Sequence, residues 1–227
     1  FPPMPIGFFD SGLGGLTVYR KVRELLPRYD TLYLGDTART PYGNRSFEAI
    51  LRFTTEGVEH LFSQGCPLVV IACNTASAKA LRTIQQRLLP VKWPDRRVLG
   101  IIRPSAEALA ALPAGSRVAL WATEGTVRSD SYALELDKLA PHVNLTQGAC
   151  PLLVPLVEAG ELDGPGLEFF VRKYWNETRA RAGTDPEALL LACTHYPLLY
   201  PVIRRIVPHA TRLLVQADIV APSLADY

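Results

Sequence analysis

Only four cysteines occur in 227 residues: Cys66, Cys73, Cys150 and Cys193 are widely spread, and no Cys-x-x-Cys pair is present. That spacing excludes a disulfide scaffold and a zinc site built from close ligand pairs, and leaves reduced thiols, buried or reactive. Long apolar runs are lacking too. Stretches such as "PLVVIAC" fall far short of the roughly 20 residues that span a bilayer, so no transmembrane helix is expected. Charge of one sign is scarce: 24 basic and 22 acidic residues leave a net +2, and no basic block exceeds a pair such as Arg96-Arg97 or Arg204-Arg205. Nucleic acid is therefore not an expected partner. The opening "FPPMPIGFFD" has neither a basic segment nor a long apolar one, which argues against a secretory leader and makes the cytoplasm the expected compartment.

What is present is ordinary for a folded chain. A hydrophobic fraction of 48% with 20% charged residues supports a sizeable core and argues against disorder. Short runs rich in Val, Ile and Leu, bounded by Gly, Pro or polar clusters, alternate with longer segments of helical period, the pattern of an α/β fold. Strands are expected at 6–9, 31–34, 68–72, 98–101, 118–122, 143–147, 188–192 and 212–215, largely in parallel sheets. Helices are expected at 15–26, 46–64, 75–89, 104–112, 129–139, 152–160, 166–182 and 197–206, with Ser46 as an N-cap. The Pro-rich "LLPVKWPDRR" (88–97) reads as a linker and "IVPHATR" (206–212) as a return. One domain is thus expected at 1–97 plus 209–227, and a second at 98–208.

In open parallel sheets ligands bind beyond the carboxyl ends of the strands. The polar clusters of this chain fall at such ends: "FFDSGLGG", "LGDTARTPYGNRS", "CNTAS", "TEGTVRS" and "CTHYP". "GLGG" is an incomplete phosphate-loop fingerprint, since position 17 is threonine, and its glycines are expected to let backbone approach a small anion such as an amino-acid carboxylate.

Two clusters repeat one another. "IACNTASA" (71–78) and "LACTHYPLL" (191–199) each end an apolar run with Ala-Cys and continue with small hydrogen-bonding residues. Cysteine usually behaves as a small buried hydrophobe, and Cys66 and Cys150, each before a proline, fit that role. Cys73 and Cys193 differ: each closes a strand and precedes an expected helix N-terminus, where the dipole favours thiolate. Asp10 is placed to face Cys73 from the neighbouring strand end, and His195 lies two residues beyond Cys193.

Two thiols facing each other across a cleft suit racemisation at a carbon bearing hydrogen, which needs a base on one face and an acid on the other. Removing the α-proton of an amino acid also needs donors that hold the carboxylate as charge builds. Ser11, Asn74, Thr75, Thr126 and Thr194, with backbone near Tyr42 and Gly43, are the candidates.

With these residues in view, the sequence resembles the cofactor-independent glutamate racemases of bacteria. "FDSGLGGLTV", "GDTARTPYG", "IACNTASA", "CPLLVPLVEAG" and "CTHYPLL" match that family's pattern in order over nearly the whole chain. The resemblance implies two similar α/β domains with mainly parallel sheets, L- or D-glutamate in the cleft between them, neither metal nor pyridoxal phosphate, and a homodimer. It implies that Cys73 takes the α-proton from D-glutamate and Cys193 from L-glutamate, assisted by Asp10 and His195 respectively. Asp10, Ser11, Tyr42, Gly43, Asn74, Thr75, Thr194 and His195 would contact substrate, with Asp36 and Glu158 secondary. The implied role is supply of D-glutamate for peptidoglycan. The chain departs from the pattern at Arg103 and Gln216, and it stops at Tyr227, where the family usually continues.

Three rival readings use the same residues. One is a two-thiol racemase of aspartate or another amino acid. Another is a thiol hydrolase with Cys193 as nucleophile and His195 as base, which leaves Cys73 idle. The third is a two-lobed binding protein without catalysis.

Overall fold

The structure, a computed structural model, describes residues 4–227. The first half runs β1 (Ile6–Asp10), α1 (Leu16–Leu25), β2 (Thr31–Gly35), α2 (Phe47–Ser63), β3 (Leu68–Ile71), α3 (Asn74–Lys79), α4 (Leu81–Thr83), α5 (Leu89–Lys92) and β4 (Arg97–Gly100). The second runs α6 (Ile102–Ala110), β5 (Arg117–Ala122), α7 (Glu124–Arg128), α8 (Ser131–Leu139), β6 (Asn144–Ala149), α9 (Leu153–Glu158), α10 (Pro165–Ala182), β7 (Ala188–Leu191), α11 (Tyr200–Ile206) and β8 (Arg212–Val215). A last helix, α12 (Ala217–Asp226), returns to the first half.

Two separate four-stranded sheets result, ordered β2-β1-β3-β4 and β6-β5-β7-β8, and every strand pair is parallel. The central strands explain why the pattern was legible. "IGFFD" of β1 and "ALLL" of β7 are buried at every position, as strands covered by helices on both faces require. The edge strand β2 is only half-buried along its length. Helix α2 starts where Ser46 Oγ accepts the amide of Ala49 at 3.2 Å, and it turns Ile50, Phe53, Val58, Leu61 and Phe62 onto the first sheet. Each such side chain, once buried, stabilises the fold by about 1.5–3 kcal/mol relative to exposure.

The expected division of the chain moves at both boundaries. Strand β4, assigned by sequence to the second domain, pairs with β3 in register Ile71↔Gly100 and so belongs to the first sheet. Strand β8, assigned to the first domain, pairs with β7 in register Leu191↔Val215 and belongs to the second. The cause is that "LLPVKWPDRR" is no linker. Its first residues continue the preceding helical segment through a π-helical turn, Ile84–Leu88, into α5, where Pro90 occupies the first turn and needs no hydrogen bond for its nitrogen. The chain crosses between halves at Ile101, just after β4, and again at Gln216, just after β8. Past the second crossing, Ala217, Val220, Ala221 and Leu224 pack among Ile6, Phe8, Val18 and Val22 of the first half. No helix among the described residues is long and apolar enough to cross a membrane.

Candidate active site

The two sheets have one topology, and their hydrogen bonds superpose the two cysteine motifs. The amide of Ala72 donates to Phe9 O, and that of Ala192 to Trp121 O, both at 2.8 Å. Phe9 thus corresponds to Trp121, and Cys73 to Cys193. Each cysteine leaves the third strand of its sheet at the carboxyl edge, where both thiols line one cavity of about 310 Å³ between the halves. Ser11, Tyr42 and Gly43 line it from the first half with Asn74 and Thr75; Thr194 and His195 line it from the second. All the predicted substrate contacts except Asp10 and Thr126 therefore reach the cavity wall.

Direct contacts between halves frame this cavity. Thr75 Oγ1 lies 2.8 Å from Thr123 Oγ1, the amide of Gly125 donates to Gly43 O at 2.9 Å, and Thr17 Oγ1 donates to Thr194 O at 3.2 Å. The glycine loop has a different use from the one expected. A Cβ on Gly14 would stand 2.6 Å from His195 Nδ1 and 2.7 Å from Thr194 Oγ1, and one on Gly15 would stand 2.6 Å from Asp10 Cβ. These glycines admit the opposing half and the Asp10 side chain, whose carboxylate takes the backbone amide of Gly12.

Four predicted residues stand one layer behind the wall. Asp10 is fully buried; its Oδ2 accepts the Gly12 amide at 3.0 Å and its Oδ1 accepts from Thr194 Oγ1 at 3.4 Å. Glu158 Oε1 is 2.6 Å from His195 Nε2, while His195 Nδ1 is 3.9 Å from Cys193 Sγ. Asp36 accepts from Tyr42 OH at 2.5 Å and from Arg39 Nε at 2.7 Å, so it anchors the tyrosine of the wall. Thr126 is fully buried, with its hydroxyl 3.1 Å from that of Thr123.

Thr123 itself was missed by sequence reasoning. It lines the cavity, and its hydroxyl accepts the amide of Thr126 at 3.3 Å to cap α7. The internal repeat held the signal: with Phe9 matched to Trp121, Ser11 corresponds to Thr123. Pro151, Leu152, Val154 and Pro155, in the quoted "CPLLVPLVEAG", form an apolar wall that polar motif reading passed over.

Burial governs the ionisation of the site and overturns the expectation of a ready thiolate. Desolvation pushes the Cys73 thiol up to about 11; the nearby Asp10 carboxylate adds to the rise, and donors from Ser11, Ala76 and Thr75 oppose it without prevailing. Desolvation raises Cys193 further, against amide hydrogen bonds from His195 and Tyr196. The helix-terminal donors are present, as Cys73 Sγ accepts the Ala76 amide at 3.4 Å, but burial outweighs them. Asp10 is also raised, by desolvation first, with His195 and the amides of Gly15 and Gly12 opposing the rise.

These features have relatives. The Asp/Glu/Hydantoin racemase family pattern matches residues 6–219. A glutamate racemase of Geobacter metallireducens is 42% identical over 226 residues, covering 99% of this chain and 80% of that protein. A glutamate racemase isoform of Bacillus anthracis superposes with a TM-score of 0.88 at 32% identity, over 98% of this chain and 80% of that one. The glutamate racemase of Francisella tularensis, solved with D-glutamate, gives 0.88 at 30% identity, over 100% and 81%. With the family pattern matched over residues 6–219 and a relative 42% identical along 99% of its length, the chain belongs to the Asp/Glu/hydantoin racemase family.

Proposed function

We propose that this protein interconverts L- and D-glutamate by proton transfer between two thiols, with no metal or pyridoxal phosphate called for, and that its product serves peptidoglycan synthesis. The observation that carries the reading is the pair Cys73 and Cys193 on the wall of one buried cavity between the halves. In one direction Cys73 thiolate takes the α-proton of D-glutamate, so a C–H bond breaks and an S–H bond forms. Cys193 then delivers its own proton to the opposite face and becomes the thiolate. The reverse reaction starts from that state. Charge developing on the substrate carboxylate is met by donors from Ser11, Asn74, Thr75, Thr123 and Thr194.

Because burial favours the protonated form of both thiols, the charge of the substrate helps to ionise the one that acts as base. Its α-ammonium, adjacent to the reacting carbon, supplies positive charge beside the reacting sulfur. Asp10, with its raised carboxyl, and His195, with Nδ1 toward Cys193, are the assisting groups. Glutamate as substrate is supported by the relatives above.

The alignment Cys193, His195, Glu158 also fits a thiol hydrolase, which would form a covalent acyl-enzyme. The deciding experiment follows D-glutamate by circular dichroism and by proton NMR in deuterated water, without added cofactor. Loss of optical activity with exchange of the α-proton is expected. A stable optical signal from folded protein would end the reading, and a faster loss with aspartate would reassign the substrate.

A further inference from the structure

Gln216 does not line the cavity, yet its side chain is buried against Asn74, which does. Asn74 Nδ2 donates to Gln216 Oε1 at 2.6 Å, and Gln216 Nε2 lies 3.2 Å from Asn74 Oδ1. Around them stand Ser105 of α6 and Tyr132 of α8, both fully buried. Gln216 Nε2 donates to Ser105 Oγ and to Tyr132 OH, each at 2.8 Å, and Tyr132 OH donates to Asn74 Oδ1 at 2.6 Å.

Hydrogen-bond polarity fixes this network in one direction. Ser105 has one hydroxyl proton, and it is committed to Ile101 O at 2.7 Å. Ser105 Oγ therefore only accepts from Gln216, which forces the Nε2 end of Gln216 toward Ser105 and its Oε1 toward Asn74. Asn74 must in turn present Nδ2 to Gln216 and Oδ1 to Tyr132. Oδ1 is then taken by the Tyr132 hydroxyl, and one of the two N–H groups of Nδ2 is left without a protein partner on a residue of the cavity wall.

We propose that Gln216 is a positioning residue: through this one-way chain from the Ile101 carbonyl, it holds the Asn74 amide so that its free N–H meets a carboxylate of the substrate. The inference rests on the racemase reading for its substrate and reaches beyond it in assigning a role to a residue outside the cavity. Without Gln216, Tyr132 is the sole partner of Asn74, and a tyrosine hydroxyl pairs with either end of an amide. Asn74 would then present oxygen as readily as N–H.

The test compares steady-state racemisation by the wild type, Gln216→Met and Gln216→Glu. A carboxylate at 216 can only accept, from Asn74 Nδ2 at one oxygen and from the Tyr132 hydroxyl at the other, so Glu preserves the orientation that Met releases. The substrate carboxylate is charged when bound and gains charge as the proton leaves, so the lost contact weakens binding and weakens the transition state further. Gln216→Met is expected to raise KM about tenfold and to lower kcat about threefold, and Gln216→Glu to return KM to within about threefold of wild type. A merely structural role lowers the active fraction, hence kcat, and leaves KM alone; that result, or failure of Glu to restore KM, overturns the proposal. Should Gln216→Met not fold, Ser105→Ala, which touches neither Asn74 nor the cavity, is expected to raise KM about threefold, and an unchanged KM overturns it.

A second readout does not depend on turnover. With asparagine labelled by 15N, the Nδ2 protons of Asn74, identified by their loss in Asn74→Asp, are expected as two well-separated signals in the wild type and in Gln216→Glu, and as a converged pair in Gln216→Met. An unaltered pair in Gln216→Met overturns the proposal even if the wild type leaves glutamate untouched, an outcome that would sink only the racemase reading.

Discussion

Glu158 Oε1 lies 2.6 Å from His195 Nε2, on the side of the imidazole away from Cys193. A carboxylate there accepts the Nε2 proton, which leaves the lone pair of Nδ1 toward the thiol 3.9 Å away. Glu158→Gln keeps the shape but removes the charge that would stabilise an imidazolium. Turnover is expected to fall about 10–100-fold. Because L- and D-glutamate have equal free energy in water, kcat/KM must fall by the same factor in both directions, which circular dichroism started from either enantiomer will check. Unequal losses would point to a reaction other than racemisation.

Replacing either thiol by serine should abolish net racemisation, by roughly 10³-fold or more. The proposed assignment of faces makes a sharper statement. Cys73→Ser retains the thiol that acts on L-glutamate, so in deuterated water it should exchange the α-proton of L-glutamate without inverting it. Cys193→Ser should do the same for D-glutamate alone. Proton NMR coupled to chiral chromatography reads both, and exchange of the opposite enantiomer would reverse the assignment.

Thiol burial predicts alkaline sensitivity. The folded state holds the Cys73 proton up to about 11, against about 9 for an ordinary thiol, and burial also raises Cys66, Cys150 and Cys193. Between those values the folded chain binds more protons than the unfolded one, so stability is fully present below about pH 9 and falls as pH rises toward 11. Each such thiol removes up to about 1.4 kcal/mol per pH unit across that window. Thermal melts from pH 8 to 11 should show the decline, with a shallower slope in Cys150→Ala. Asp10→Asn removes a charge that opposes ionisation of Cys73, so alkylation of Cys73 at fixed pH should quicken.

Gly14→Ala places a methyl group 2.6 Å from His195 Nδ1 and 2.7 Å from Thr194 Oγ1. Overpacking of this kind costs about 1–3 kcal/mol, and here relief requires the halves to part or His195 to turn. Racemisation should drop about 100-fold while far-ultraviolet dichroism is unchanged. Full activity would mean that the opposing wall yields without consequence.

Thr123→Val removes both the hydroxyl contact to Thr75 and the cap of α7, with an expected loss of about 1 kcal/mol in stability and about a tenfold rise in KM. Thr123→Ser keeps the hydroxyl and should behave as wild type in steady-state assays. Equal KM values in the two variants would remove Thr123 from the substrate contacts.

The central strands could be read from sequence because helices on both faces make them continuously apolar, as in "ALLL" of β7, and the repeated Ala-Cys pointed to the right pair of thiols. Segment 75–89 reads as a single helix by period yet breaks into α3, α4 and a π-helical turn, because tertiary packing overrides propensity there. The first boundary between halves was misplaced because a proline in the first turn of α5 looks the same in sequence as a proline in a linker. Local motif reading set the helix-terminal donors of Cys73 above its burial, and burial is a property of the whole fold. The bond from Asn74 to Gln216 joins residues 142 apart, and no spacing rule reaches that far.

Two covalent links, at Ile101 and Gln216, connect halves that otherwise meet only through noncovalent contacts. Two points define a line, so any opening of the cleft that keeps both halves rigid has a single degree of freedom, rotation about the axis through those residues. Points on an axis do not move. Gln216 therefore stays beside its neighbours while Thr75 and Thr123, or Gly14 and His195, travel apart, and the polarity it imposes on Asn74 is in place before a substrate arrives.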